Sequence, residues 1–216
     1  MNRFRIAILI PALLLGCQSR STNKREEDVS LKSRNARPLD ARPIVAVVDF
    51  ADESKYGEQN LGSQALRICE TELSKSRQVV LVDRKSIERV LTEQKFQTSG
   101  LTDAATAARV GRLVNAKYLI SGAVTNFGVY NEGTKVMGGL YSDKTTFAKC
   151  EVDAKMVDVE HGVIITAWNG NGEATKGVKS SVFVGATASF DQTLGGRALR
   201  AAVVKMLDQM LDDLQQ

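Results

Sequence analysis

The chain has 216 residues, and 29 Lys and Arg against 25 Asp and Glu give a formal charge of +4. That length allows one domain with a substantial core rather than two. The positive excess sits near the N-terminus: residues 44–216 hold 20 basic and 21 acidic side chains, so the alkaline balance belongs to the first segments and gives nucleic-acid binding no footing.

The first segment is Met1-Asn2-Arg3-Phe4-Arg5, followed by an uncharged run from Ile6 and closed by Leu14-Leu15-Gly16-Cys17. A basic stretch, a short apolar stretch and a small residue before the cut make a bacterial secretory signal. The last four residues match a lipobox, in which the cysteine after the cut becomes the acylated N-terminus. Ten apolar residues interrupted by Pro11 cannot span a bilayer, because a spanning helix needs about 20. Residues 1–16 are therefore expected to be a signal peptide and Cys17 the lipidation site. Two or more acyl chains, at about 0.8 kcal/mol per buried methylene, give stable anchoring. Gln18 and Ser19 follow; by resemblance to the sorting rule of enteric bacteria, the lack of Asp at Ser19 points to the outer membrane, periplasmic side.

Residues 17–43 are rich in Ser, Asn, Arg, Lys and Glu, with Pro38 and Pro43 near their end, and are expected to form a lipid-anchored, flexible tether. A single domain over 44–216 follows. Ile44 to Phe50 is a near-continuous β-branched run, the pattern of a strand buried on both faces. Ala65, Leu66, Cys69 and Leu73 recur at helical spacing. Val79 to Val82 predicts a second strand. Asp83 is placed to cap a helix with Ile87, Val90 and Leu91 on one face. Thr102-Asp103 predicts the start of a third helix with Ala107, Val110, Gly111 and Val114 inward, and Tyr118 to Gly122 is a third strand. The resulting β-α-β-α-α-β order predicts an α/β (α+β) layered domain with parallel pairing.

The second half changes character. Cys150, Val152, Ala154 and Met156 alternate with Lys149, Glu151, Asp153 and Lys155, the pattern of an antiparallel strand with one buried face. Val159 to Gly162 is a turn, Val163 to Trp168 returns, and Leu199, Val203, Met206, Met210 and Leu214 predict an amphipathic closing helix. Residues 127–147 and 173–197, rich in Gly, Ser, Thr and Val, have no core role and are candidate membrane hairpins.

Chemistry is sparse. His161 is the only histidine and sits in a turn before Gly162, where exposure is expected. The first β-to-α loop, Ala51 to Gly57, lacks a phosphate-cradling glycine pattern, and its Asp52-Glu53 pair would repel phosphate. Asp49 and the Asp52-Glu53 pair could hold a cation, but loop carboxylates are usually only solvated, and Arg84 reads as a cap and surface pair. Cys69 and Cys150 lack metal or redox spacing. An exported protein permits a disulfide between them, yet both fall on inward faces, so buried, unpaired thiols are expected. No catalytic site, metal or cofactor is expected.

Val82-Asp83-Arg84, Ile87, Val90-Leu91 and Glu93-Gln94 resemble the "V-E-R-x-x-L-x-x-L-L-x-E" block of the CsgG family, the lipoproteins of the curli secretion channel. Asn115-Ala116-Lys117-Tyr118-Leu119-Ile120-Ser121-Gly122, preceded by Val110-Gly111, is similar to that family's "G-x-x-x-G-A-x-Y-x-(I/V)-x-G" block, with Asn115 where Gly is usual. Leu194-Gly195-Gly196-Arg197-Ala198 resembles the "LG-x-A" start of its last helix. The resemblance implies an α/β periplasmic domain that assembles into a homo-oligomeric ring. Each protomer would add two β-hairpins, here 127–147 and 173–197, to a shared transmembrane barrel that exports curli-like subunits. It also implies a pore-lining loop that matches Tyr56 and its neighbours. Some relatives activate cell-wall synthases or anchor adhesins without a pore. Two readings therefore stand: a secretion-pore subunit, or a lipid-tethered periplasmic module that scaffolds or activates accessory partners.

Overall fold

The computed structural model describes residues 29–56, 60–93, 104–135, 142–175 and 193–215. Five strands form one sheet in the order β2-β1-β3-β4-β5. They are β1 (Ile44–Asp52), β2 (Val80–Leu81), β3 (Tyr118–Lys135), β4 (Ser142–Asp158) and β5 (Val163–Thr175). The helices are α1 (Leu61–Ser76), α2 (Arg84–Glu93), α3 (Ala104–Leu113) and α4 (Leu194–Asp213). The expected β-α-β-α-α-β order is present, and β1 pairs in parallel with both β2 and β3.

The β-branched run of β1 is buried on both faces, because each face carries its own core. Val45, Val47 and Phe50 pack with α1 and α4, while Ala46 and Val48 pack with α2 and α3. α1 contributes Ala65, Leu66, Cys69 and Leu73, and α4 contributes Leu199, Val203, Met206 and Met210, as their spacing predicts. Ile87, Ala107 and Val110 fill the second core. Asp83 caps α2 by accepting the Ser86 N–H at 3.3 Å.

Three expectations change. The third strand runs to Lys135 and its partner starts at Ser142, so residues 127–147 do form a hairpin, but not a separate one and not one without a core role, since Phe127 is buried in the main core. They are the outer half of one long antiparallel hairpin, in register from Tyr118↔Asp158 to Lys135↔Ser142. The returning strand also runs past Trp168 to Thr175. The reason is visible on its inward face, where Trp168 is followed by Gly170 and Gly172. A Cβ at Gly170 would lie 2.0 Å from the Ala202 carbonyl oxygen, and one at Gly172 would lie 2.0 Å from that of Ala198. Only glycine lets the α4 backbone lie directly on β5. Finally, 194–197 are the first turn of α4, capped by Thr193, whose hydroxyl accepts the Gly196 N–H at 3.0 Å. The second candidate hairpin therefore cannot extend to 197, and its residues 176–192 lie outside the described residues.

The tether is likewise shorter than its composition suggests. Residues 29–43 are strapped along the domain. Leu31 packs against the main core, and the Arg34 guanidinium reaches Asp208 at 2.8 Å and Asp212 at 2.6 Å on α4. Gln78, which is buried, donates to the Asn35 carbonyl at 2.8 Å, and Arg37 donates to the Leu214 carbonyl at 2.5 Å. Arg and Lys look like solvated-linker residues in sequence, and here they are the fastening.

Candidate functional site

One end of the sheet gathers the features that the sequence set apart. The C-terminal ends of β1, β3 and β5, the start of β4 and the first turn of α4 all lie there. The Tyr56 ring meets Phe127 edge-on, with centroids 4.7 Å apart, and Phe127 packs over Gly195 at the start of α4. Further out, Tyr130 of β3 stacks on Phe147 of β4 at 5.4 Å, and the Lys149 ammonium lies 5.3 Å from the Phe147 ring centroid. Val129 and Tyr130 remain exposed. An aromatic rim thus links the β1–α1 loop to the base of the long hairpin.

The loop is held by Asp52. One carboxylate oxygen accepts the Leu61 N–H at 3.0 Å, and the other accepts the Ser54 hydroxyl at 2.7 Å. Lys55 and Asn60 adopt left-handed backbone angles, and Asn60 caps α1 through the Ser63 N–H. These bonds turn Tyr56 back toward Phe127. Asp52 is a structural cap in this arrangement.

In open α/β sheets, ligands enter the crevice at the carboxyl ends of the strands where the strand order reverses. Here that place lies at the ends of β1 and β3. The two strands stay paired out to Asp52↔Val124, and the Phe50 ring lies against Gly122.

The remaining polar candidates are dispersed. Arg84 donates to the Val48 carbonyl at 2.6 Å and to Glu88 at 3.1 Å, so it clamps α2 to β1 as a cap and surface pair. Burial raises the pKa of the neighbouring Asp49 carboxyl, opposed by the Phe50 N–H and the Arg84 charge. His161 sits in the β4–β5 turn at the opposite end of the sheet, exposed, with its Nδ1 3.3 Å from Asp158. Asp158 has a lowered pKa, first because it accepts the His161 backbone N–H. The structure does not bring His161 and Asp49 together. Among the described residues, no group of three or more His, Cys, Asp or Glu side chains is arranged to hold a metal.

Cys69 and Cys150 are both buried and unpaired. Burial pushes both thiols up, Cys150 to about 12. Cys17 lies outside the described residues. No helix among the described residues is long and apolar enough to cross a membrane.

Sequence reasoning missed the strap, the glycine seat for α4 and the length of the hairpin. The alternation Trp168, Gly170, Gly172 was a readable signal for the second of these.

A layered α/β domain with a projecting two-stranded arm and a strapped N-terminal segment is the class that this geometry defines. The family model described as "Curli production assembly/transport component CsgG" matches residues 26–216, and the chain belongs to that family. A Neisseria meningitidis serogroup B protein named as a lipoprotein, NMB1126/NMB1164, is 26% identical over 206 residues, covering 92% of this chain and 87% of that one. Among solved structures, CT253 from Chlamydia trachomatis shares the fold with a TM-score of 0.50 at 13% identity, over 79% of this chain and 96% of its own. Lipoprotein GNA1162 from Neisseria meningitidis aligns with a TM-score of 0.46 at 15% identity, over 65% and 88%.

Proposed function

We propose that this chain is a lipid-anchored, outer-membrane member of the CsgG family whose copies form a ring for export or assembly of surface protein. It acts by assembly and binding rather than by catalysis. Family membership, the lipobox at Cys17 and the lipoprotein name of the meningococcal relative support the anchor.

The observation that carries the membrane part is the reach of the β3–β4 arm. Beyond the Phe127↔Cys150 pair, both strands continue for eight residues, to Lys135 and back from Ser142. At about 3.4 Å per residue that is ~27 Å, close to the apolar band of outer-membrane barrels, ~25 Å tall. A lone hairpin has unpaired edges and cannot sit in lipid, so insertion must accompany oligomerisation. The second arm would come from residues 176–192, where Val178, Ser180, Val182, Val184, Ala186, Ala188 and Phe190 alternate with Lys179, Ser181, Thr187 and Ser189, broken by Phe183. Tyr56, at the aromatic rim, would stand where the pore narrows.

Lys135, Asp143 and Lys144 near the arm's end favour the other reading, a tethered periplasmic module that scaffolds or activates partners, because charges in lipid are costly. Val182→Arg separates the two. A lipid-facing Arg near mid-bilayer costs about 2–4 kcal/mol per subunit, so the ring should fail to insert and membrane conductance should be lost. Unchanged conductance and ring yield would favour the module without a pore.

A further inference from the structure

Three of the exposed large apolar side chains among the described residues are consecutive in the chain. Val163, Ile164 and Ile165, which their composition would put inside, are 50–52% exposed at the start of β5. Beside them the second core reaches the surface: Val157, their neighbour on β4, is fully buried with Ala108 and Val159, and Gly162 approaches Ala108. β5 is an edge strand, and edge strands are usually guarded by charges or proline. From Gly162 to Gly172, β5 has neither.

The other edge of the sheet is β2, and its features match. Val80 and Leu81 are only partly buried, and no charge lies between Val79 and Val82. The N–H groups of Val80 and Val82 donate inward to the carbonyls of Pro43 and Val45, so by strand alternation the Leu81 backbone faces outward. One row of the sheet connects the two edges: Leu81 pairs with Val45, Val45 with Tyr118, Tyr118 with Asp158, and Asp158 with Val163. The two apolar rims are therefore level, and β2 and β5 run in the same direction. Arg77, which precedes β2, and Glu160, which precedes β5, are both exposed and carry opposite charges.

We infer that the occupant of the β5 rim is the β2 rim of a second copy, docked head to tail with strands parallel, with Arg77 of one copy facing Glu160 of the next. This rests on the assembly reading above and assigns it a surface. Rotation about an axis along the strands brings one rim onto the other and points every β3–β4 arm the same way. Face-to-face pairing of two β5 edges would be antiparallel and would point the arms apart.

Full-length protein extracted from membranes in detergent tests this by oxidative crosslinking. A chain carrying both Val82→Cys and Ile164→Cys, which the row of Ala46, Leu119 and Val157 puts level, should give a ladder of disulfide-linked multimers on non-reducing gels, and neither substitution alone should. Ile164→Lys should lower the assembled fraction at least tenfold in sedimentation while leaving the circular dichroism spectrum of the monomer unchanged. Assembled protein that gives no ladder from the double variant overturns the surface but not the ring. Dimers from Ile164→Cys alone overturn the head-to-tail arrangement. A wild-type protein that sediments as a monomer overturns the assembly reading itself.

Discussion

Asn115 shows how one residue type can be read and then explained. It stands where the family block usually has Gly, and its φ of 55° is left-handed. Its N–H donates to the Arg112 carbonyl at 3.2 Å, and the next N–H, of Ala116, donates to Gly111 at 2.9 Å. That is a Schellman close for α3, whose left-handed position accepts Gly or Asn. Asn115→Gly should leave stability nearly unchanged, whereas Asn115→Val should cost about 1–2 kcal/mol, measured as a shift of the urea midpoint. A similar contrast holds on β5. Gly170→Ala forces a Cβ against the α4 backbone and should cost about 1–3 kcal/mol, while Asn169→Ala on the exposed face should stay within about 0.5 kcal/mol. Equal effects at Gly170 and Asn169 would mean that α4 does not sit on β5 as described. The buried thiols make a third residue-scale case. With Cys150 at about 12 and Cys69 also raised, neither forms thiolate near neutrality, so alkylation at pH 8 should be negligible until denaturant is added.

Among the elements, the strap over residues 29–43 departs most from its sequence pattern. The Arg34 side chain is 7% exposed, enclosed by two carboxylates and the Asp208 carbonyl. Burial works against its charge, but hydrogen bonds to Asp212 and Asp208 outweigh that and hold its pKa above the ordinary value. Arg34→Ala would leave the mostly buried Asp208 carboxylate without its charged partner and with only the Lys32 N–H donating to it, for an expected loss of about 2–3 kcal/mol. Hydrogen exchange should show that loss first in residues 31–37. Asp212 is held below the usual carboxylate range, chiefly by Arg34 and then by Lys32. A carboxylate depressed in the folded state stabilises it above its ordinary pKa and stops doing so as pH falls through the folded value. The strap should therefore stay fastened at neutral pH and loosen below about pH 4. Protection of residues 31–37 that did not change between pH 6 and pH 3 would contradict that linkage. The hairpin illustrates the opposite difficulty: Tyr118 to Gly122 was legible as a strand and 127–147 as a hairpin, but not that the two are one continuous strand pair. Beyond the core, side chains need not alternate by burial, so the usual period-2 signal is absent.

For the molecule as a whole, anchoring is the first quantity to measure. Cys17→Ala should move the protein from the membrane pellet to the soluble fraction, and retention of that variant through a high-salt wash would show that something other than lipid holds it. The order of strands and helices, the two-faced burial of β1, the inward face of α4 and the family blocks were all present in the residues themselves. They follow from local periodicity and from contacts between neighbouring elements, which sequence spacing encodes. What the tertiary structure alone decided was the company that distant segments keep. It brought Arg34 to α4 across more than 170 positions, set Tyr56 on Phe127, and left Val163 to Ile165 on an open edge although their composition is that of a core. Burial depends on which strand ends the sheet and on where each helix covers it, and no local pattern contains that information.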